Sequence, residues 1–280
     1  MTEPLVPPPN GDGLHFCVLA SGSKGNAVYV SDGETTILID AGLSGVEIER
    51  RLRSRCLDPA RIDAIVVSHE HTDHIRGVGV LARRYRLPVY LTRGTQTNGA
   101  TALGRIDNLV HFQPGRAFAI HTLHLHPFAL PHDAADPSGF TIEGNGSKLG
   151  IATDLGIAPA MIRTHLADCG ALVLEANHDP RMLMEGPYPW PLKQRIAGRT
   201  GHLSNPEARD LLGRVRHDGL RHVVLAHLSE INNTPECALN IVAEGLGPCR
   251  ARLTVALQGQ PTELIELSMS SPRVTRGGRI

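Results

Sequence analysis

Three histidines and an aspartate lie within six consecutive residues of this 280-residue chain, the segment His69-Glu-His71-Thr-Asp73-His74. The segment follows the apolar run AIVVS at 64–68, which predicts a buried strand. Residues two apart in extended chain point the same way, so His69 and His71 can reach one ion together. The next turn redirects the chain, so that Asp73 and His74 can serve a second ion. Imidazole and carboxylate groups favour zinc, with manganese or iron as alternatives.

Six residues cannot complete two metal sites, so further ligands are expected downstream. Three candidates each follow a strand-like run, namely His132 after FALP, Asp154 after GIAT and His227 after VVLA. His132 can complete the first site and His227 the second, while the two carboxylate oxygens of Asp154 can bridge both ions. We therefore predict two divalent metal ions, Zn²⁺ first and Mn²⁺ as the alternative.

The elements that must position these residues alternate in type along the chain. Strand-like runs are predicted at 14–20, 27–30, 35–40, 64–68, 117–126, 139–144, 147–153, 171–177, 222–227, 251–257 and 262–267. Helices are predicted at 45–56 and 76–86, and helix starts at 204–207 and 234–236. This alternation favours one α/β domain over residues 13–270, between a disordered tail at 1–12 and a loose tail at 271–280.

Composition excludes several classes of protein. The 28 basic and 28 acidic residues give a net charge of zero, which argues against a polycation held to nucleic acid or membrane by charge alone. Neither a membrane-spanning run nor a signal-peptide pattern is present, so we expect a cytoplasmic protein without a membrane partner. The five widely spaced cysteines contain no CxxC and support neither a disulfide framework nor a cysteine-based zinc site.

The HxHxDH motif, followed by single His, Asp and His residues after successive strands, resembles the metallo-β-lactamase family. This resemblance implies an αβ/βα four-layer sandwich, two mixed β-sheets flanked by helices, with a dinuclear metal site at one edge. The implied ligands are His69, His71, Asp73, His74, His132, Asp154 and His227. Asp40, which closes the run TTILID, matches the family's first motif and is implied to hold the ligand loop by hydrogen bonds.

Two further segments narrow the reaction. Glu175 in LEANHD and His202 in GHLSN occupy the places of a Glu–His pair that assists proton transfer in the phosphodiesterase branch, which includes tRNase Z. With SGSKGN and PYPWPLKQRIAGRTGHLSN, these segments resemble the WalJ/YycJ-type exonucleases. The resemblance implies a 5′-to-3′ DNA exonuclease that uses a metal-activated hydroxide, with Asp73, Glu175 and His202 as catalytic residues. The candidate contacts to the nucleic acid are Ser23, Asn26, His178 and Lys193.

Two other interpretations stay open at this point. The same metals would serve a hydrolase of a small phosphodiester or thioester, because the fold alone does not give the substrate. A metal-binding regulator without activity is disfavoured, since every expected ligand and the Glu175–His202 pair are retained. The zero net charge predicts a modest, salt-sensitive affinity for DNA.

Overall fold

The structure, a computed structural model, describes residues 13–267, and the tails predicted at 1–12 and 271–280 lie outside the described residues. The first half of this range supplies the strands β1 (Leu14–Ala20), β2 (Ala27–Ser31), β3 (Thr36–Ile39), β4 (Ala64–Val66), β5 (Val89–Leu91) and β6 (Leu109–His111). The rest of this range supplies β7 (Phe118–Ile120), β8 (Leu123–Ala129), β9 (Ser138–Gly144), β10 (Ser147–Ala152), β11 (Ala171–Glu175), β12 (His222–Ala226), β13 (Arg252–Val255) and β14 (Ile265–Leu267).

Helices connect most of the parallel strands. They are α1 (Gly45–Arg53), α2 (Thr72–Ile75), α3 (Val78–Tyr85), α4 (Arg93–Leu103), α5 (Ala160–Leu166), α6 (Pro180–Glu185), α7 (Trp190–Ile196), α8 (Asn205–Val215) and α9 (Pro235–Ala243). The predicted start of α8 is confirmed as a capping box, in which Ser204 and Glu207 bond each other's backbone N–H groups. Thr234 caps α9, which confirms the helix start predicted at 234–236.

Two seven-stranded mixed sheets face each other, ordered β14-β1-β2-β3-β4-β5-β6 and β13-β12-β11-β10-β9-β8-β7. Apolar residues from both sheets, such as Phe16 and Phe140, form the core between them. Helices α1, α3 and α4 cover the outer face of the first sheet, and α5, α8 and α9 cover that of the second. The predicted αβ/βα four-layer sandwich is therefore confirmed.

Strand β1, in which His15 is the one polar residue, illustrates why these runs are almost entirely apolar. Leu14, Phe16 and Val18 point into the core between the sheets, whereas Cys17 and Leu19 point to the helix layer. Successive side chains of a strand alternate between its two faces, and both faces are buried here. A polar residue in such a strand would be buried either between the two sheets or between a sheet and its helices.

The site residues lie where parallel strands end. Strands β3 and β4 are parallel in the first sheet, and β10, β11 and β12 are parallel in the second. Asp40, Asp154 and His227 directly or almost directly follow β3, β10 and β12, and all three have left-handed backbone angles, with φ of 60°, 64° and 55°. Left-handed φ is uncommon outside glycine, so these turns re-aim the side chains as each strand ends.

The structure refines the predicted elements at several points. The strand predicted at 64–68 ends at Val66, and the helix predicted at 76–86 is α3, preceded by the short helix α2 that carries Asp73 and His74. The run 117–126 is divided into β7 and β8 by a turn at His121, whose φ is 47°. Among the described residues, no helix has both the length and the apolar character needed to cross a membrane.

Candidate metal centre and active site

Three imidazoles converge on the first candidate metal position. His69 Nε2 lies 3.0 Å from His71 Nδ1, which in turn lies 3.3 Å from His132 Nε2. Ligand atoms around a tetrahedral zinc ion with bonds of about 2.0–2.1 Å are separated by about 3.3 Å. His69 and His132 are buried, and burial lowers the pKa of both imidazoles, which favours the neutral form that binds a metal.

A second group forms beside it from Asp73, His74 and His227. Asp73 Oδ2 lies 3.6 Å from His74 Nε2 and 3.6 Å from His227 Nε2. Asp73 and His74 reach this position because the chain turns into α2 directly after His71. These spacings again fit the ligand shell of one ion.

Asp154 lies between the two groups. Its Oδ1 is 3.4 Å from His227 Nε2 and 3.9 Å from His132 Nε2, and its Oδ2 is 3.4 Å from His74 Nε2. Among the described residues, Asp154 Oδ2 and His227 Nε2 are buried atoms that make no hydrogen bond. Buried polar atoms left without hydrogen bonds are costly, and a cation between them would satisfy both. Asp154 therefore lies within reach of both groups of candidate ligands.

Buried negative charge dominates the electrostatics of this centre. Four carboxylates lie within it, Asp40, Asp73, Asp154 and Glu175, with side chains 7%, 23%, 3% and 0% exposed. Burial alone would lower the pKa of His74, but the carboxylates, Asp154 first, outweigh it and raise the pKa to about 9. Burial also opposes charge on His227, yet Asp154 and the neighbouring carboxylates raise its pKa well above the ordinary value. Buried charges must be paired or coordinate metals, so these residues fit divalent cations.

Asp40 supports the ligand loop from behind. Its Oδ1 accepts a hydrogen bond from the Ser68 backbone N–H at 2.7 Å, and its Oδ2 accepts from Ser68 Oγ and His74 Nδ1, each at 2.8 Å. The bond to Nδ1 leaves Nε2 of His74 facing Asp73 and Asp154. These bonds hold the Asp40 side chain against the ligand loop.

Glu175 and His202 form a pair at the wall of the centre. His202 Nδ1 lies 2.7 Å from Glu175 Oε1, and His227 Nδ1 lies 3.2 Å from the same oxygen. Glu175 Oε2 accepts from the backbone N–H groups of Leu155 and Leu203, so the carboxylate is fixed at both ends. Burial would raise the pKa of Glu175, but His202 and His227 outweigh it and hold the pKa below its ordinary range.

The centre opens into a cleft of about 400 Å³. Its walls include the predicted residues His71, Asp73, His132, Asp154, His202, His227 and Ser23. Helix α7 forms part of another wall, where Leu192 and Arg195 line the cleft together with Tyr188 just before the helix. Gly201 lets this helix pack close, because a Cβ there would overlap the carbonyl oxygens of Arg195 and Ile196.

Three predicted contact residues lie away from the cleft wall. Asn26 is buried, and its amide donates to Gly22 O and Asp73 Oδ2 beneath the ligand loop. His178 is buried, its backbone pairing with Ser204. Lys193 is partly exposed and donates to Met184 O at 2.6 Å.

Sequence reasoning did not identify Arg195, which lines the cleft while its Nε donates to Asp133 at 2.6 Å. The only indication of Arg195 in the sequence was its position in the segment that precedes GHLSN. Helix α7 has no buried residue, so it carries no apolar periodicity from which a wall of the cleft could be predicted.

Comparison with known proteins agrees with this geometry. Residues 35–228 match the family described as the β-lactamase superfamily domain. The chain is 40% identical over 236 residues to exodeoxyribonuclease YycJ of Bacillus anthracis, covering 84% of this chain and 89% of that protein. It is 34% identical over 230 residues to exodeoxyribonuclease WalJ of Streptococcus pneumoniae, covering 81% and 86%.

Solved structures show the same fold at low identity. The metallo-β-lactamase fold protein YhfI of Bacillus subtilis superposes with a TM-score of 0.68 at 15% identity, covering 89% of this chain and 99% of that chain. The short form of human tRNase Z superposes with a TM-score of 0.61 at 17% identity, covering 89% and 98%. The chain thus belongs to the metallo-β-lactamase superfamily of metal-dependent hydrolases. Within it, the chain is a member of the family that contains YycJ and WalJ.

Proposed function

We propose that this protein is a DNA exonuclease that hydrolyses phosphodiester bonds from the 5′ end with two divalent ions, zinc first and manganese as the alternative. The observation that carries the proposal is Asp154, which lies between two groups of ligand atoms at the base of an open cleft. The substrate class follows from the resemblance to YycJ and WalJ, both named exodeoxyribonucleases. We place the reaction in the cytoplasm, without a membrane partner.

The proposed roles divide the residues into two groups. His69, His71 and His132 would hold one ion, Asp73, His74 and His227 would hold the other, and Asp154 lies within reach of both. Bound together, such ions supply an activated water and offset negative charge on the phosphoryl oxygens. Asp73 orients the second metal site, the one with His74 and His227, next to the reacting phosphate. Asp40 keeps the ligand loop in place.

His202 has the proton-transfer role in this proposal. Nδ1–H donates to Glu175 at 2.7 Å, which leaves Nε2 as the nitrogen that can exchange a proton with the substrate. In the imidazolium form, His202 can give this proton to the oxygen that leaves when the ester bond breaks. Glu175 stabilises that charged form, and its own position is fixed by Leu155 and Leu203. Ser23 contributes a hydroxyl on the cleft wall to the phosphate backbone.

The test is metal analysis combined with cleavage of end-labelled DNA. We expect two ions per chain and release of mononucleotides from the 5′ end, with matched RNA, bis(p-nitrophenyl) phosphate and a thioester degraded more slowly. The double substitution H69A/H71A should abolish both metal binding at the first site and cleavage. Turnover of the small esters alone would refute the nuclease, and loss of the 3′ label first would refute the direction.

A second experiment tests the proton-transfer pair. His202→Ala should retain both ions, because Nδ1 of its ring bonds Glu175 Oε1 and the ring belongs to neither proposed ligand set, while kcat falls by about 10²–10⁴-fold. His202→Ala protein that binds metal normally and cleaves DNA at the wild-type rate would remove His202 from the mechanism. Reconstitution with zinc or manganese in turn decides which ion supports the reaction.

A further inference from the structure

A second cleft opens at the same edge of the sandwich as the metal centre. It has a volume of about 660 Å³, larger than the ≈ 400 Å³ of the catalytic cleft. Its walls come from the end of β5, the start of α4, and the segment that joins β6 to β7. This segment crosses from one sheet to the other at the edge strands of both.

The lining of this cleft combines aromatic rings with basic side chains. The chain has ten aromatic residues, five Phe, four Tyr and one Trp, and three of them line this single cleft. Tyr90 and Phe118 stack at 5.4 Å with ring planes 7° apart, and Phe112 stacks on Phe118 at 5.5 Å. Tyr90 and Phe118 are only partly buried, so the rings form an apolar floor that a planar ligand can contact.

Two arginines line the same cleft as these rings. Arg93 and Arg116 are exposed, and within residues 13–267 neither has a carboxylate at ion-pair distance, in contrast to Arg195, which is paired with Asp133. Arg116 donates weakly to Gln113 at 3.4 Å. Asp136, an acidic residue of the lining, accepts the Gly94 N–H at 3.1 Å. The two guanidinium groups therefore keep their capacity to bind phosphate.

One short loop separates the two clefts. Asp133 lines the catalytic cleft and Asp136 lines the second, and both follow the ligand His132. The loop is fixed to the ligand segment, since Ala135 N–H donates to Glu70 Oε1 at 2.8 Å and Ser138 N–H donates to Ser68 O at 3.1 Å. A strand bound in the catalytic cleft and directed past this loop would reach the aromatic floor.

We propose that this second cleft binds a nucleotide of a single DNA strand whose neighbouring phosphodiester lies in the metal centre. The inference rests on the proposed nuclease function and names how the enzyme holds its substrate. One base stacks on the Tyr90–Phe118 floor, and Arg93 and Arg116 contact the phosphates on either side of it. Stacking and backbone contact need no particular base, so binding is independent of sequence.

The test measures binding and turnover separately. Metal-loaded protein is titrated into a fluorescent all-phosphorothioate single strand of roughly 12 nucleotides, which resists cleavage, at several salt concentrations. The variants are R93A/R116A and Phe118→Leu, which keeps an apolar side chain but removes the ring. Arg61→Ala is the matched control, because Arg61 is exposed and precedes β4, at the end of the strand opposite His69.

For R93A/R116A we expect a dissociation constant about tenfold higher, the size of two partly exposed ionic contacts. The slope of log K against log salt should fall by about 1.4, since each contact to a single strand contributes about 0.7. Phe118→Leu should weaken binding several-fold without changing the slope. Hydrolysis of bis(p-nitrophenyl) phosphate should be unchanged in all variants, because that ester is too short to reach the second cleft.

Wild-type affinity and slope in R93A/R116A would overturn the inference, and DNA cleavage by the wild-type protein would then leave the proposed function intact. Conversely, if the wild-type protein cleaves no DNA but the double variant loses strand binding, the proposed function fails and the binding site stands. An equal loss in Arg61→Ala would show that general charge, rather than this cleft, holds the strand, and would also overturn it.

Discussion

The imidazole of His74 can bind an ion through Nε2 only while its proton resides on Nδ1, and Asp40 fixes that arrangement. Asp40 Oδ2 accepts the Nδ1–H bond at 2.8 Å, and Oδ1 accepts the Ser68 backbone N–H at 2.7 Å. We predict that Asp40→Asn selectively weakens the metal position formed by Asp73, His74 and His227. The fold should survive, because asparagine has the same shape and tolerates the left-handed conformation of residue 40.

The magnitude follows from the hydrogen bonds. The substitution Asp40→Asn replaces one carboxylate acceptor with an amide donor. If the amide nitrogen faces His74, the imidazole must accept at Nδ1 and carry its proton on Nε2, the atom that should bind metal. If it faces Ser68 instead, two buried N–H donors oppose each other. Either arrangement costs about 1–3 kcal/mol, which raises the dissociation constant roughly 5- to 150-fold. Supporting residues of metal ligands typically contribute about 10- to 100-fold.

Competition with a chromophoric zinc chelator measures both binding steps. Asp63→Asn is the control, since its carboxylate accepts the Thr36 N–H at 2.7 Å just before β4, at the end of the strand opposite His69. The control should keep wild-type affinity for both ions. Asp40→Asn with both ions at wild-type affinity would refute the reasoning, because the proton position on His74 would then not depend on Asp40. Thermal unfolding of the metal-free proteins shows whether the fold itself is retained.

Three further predictions concern stability, catalysis and the core. Because the pKa of His74 is raised to about 9, this residue should contribute roughly 3 kcal/mol to the stability of metal-free protein below pH 6.5, and this contribution should be lost as the pH rises through 9; urea unfolding in which the difference between wild type and His74→Gln stays flat over this range would contradict it. Metal-loaded protein, with His74 neutral, should lack this loss. Glu175→Gln should lower kcat by at least about tenfold and shift its pH profile, because the charged form of His202 loses its partner; an unchanged profile would exclude this role. Phe140→Ala should lower the free energy of unfolding by about 3–5 kcal/mol in denaturant titrations, since the ring is fully buried between the sheets, and a loss under about 1 kcal/mol would contradict that packing.

The candidate ligand set could be proposed from the sequence because the chemistry of its residues is local. The HxHxDH motif brings four potential ligands together within six residues, and His132, Asp154 and His227 each follow an apolar run that is typical of a buried strand. Parallel strands place their carboxyl ends at one edge of a sheet, so the topology then brings these side chains together. The alternation of apolar runs and helices predicted one α/β domain, and the family resemblance carried by the HxHxDH motif implied its four-layer arrangement.

The walls of both clefts were not predictable in this way. Helix α7 buries none of its residues. Arg93 and Arg116 lie in segments whose apolar pattern does not indicate which way their side chains point. Their grouping depends on how distant elements pack. Asn26 shows the related ambiguity of a small-residue loop: an amide suited to a phosphate is equally suited to the backbone, and here it bonds Gly22 and Asp73.

Backbone strain occurs at three residues of the proposed site, because Asp40, Asp154 and His227 adopt left-handed conformations. Each such conformation costs on the order of 1–3 kcal/mol, and surrounding structure must hold it. Strong contacts do so here: Asp40 N–H donates to Val66 O at 2.8 Å, and His227 N–H donates to Ser21 Oγ at 2.6 Å. The fold thus aims Asp154 and His227 at the candidate metal centre, and Asp40 at the imidazole of His74 behind it.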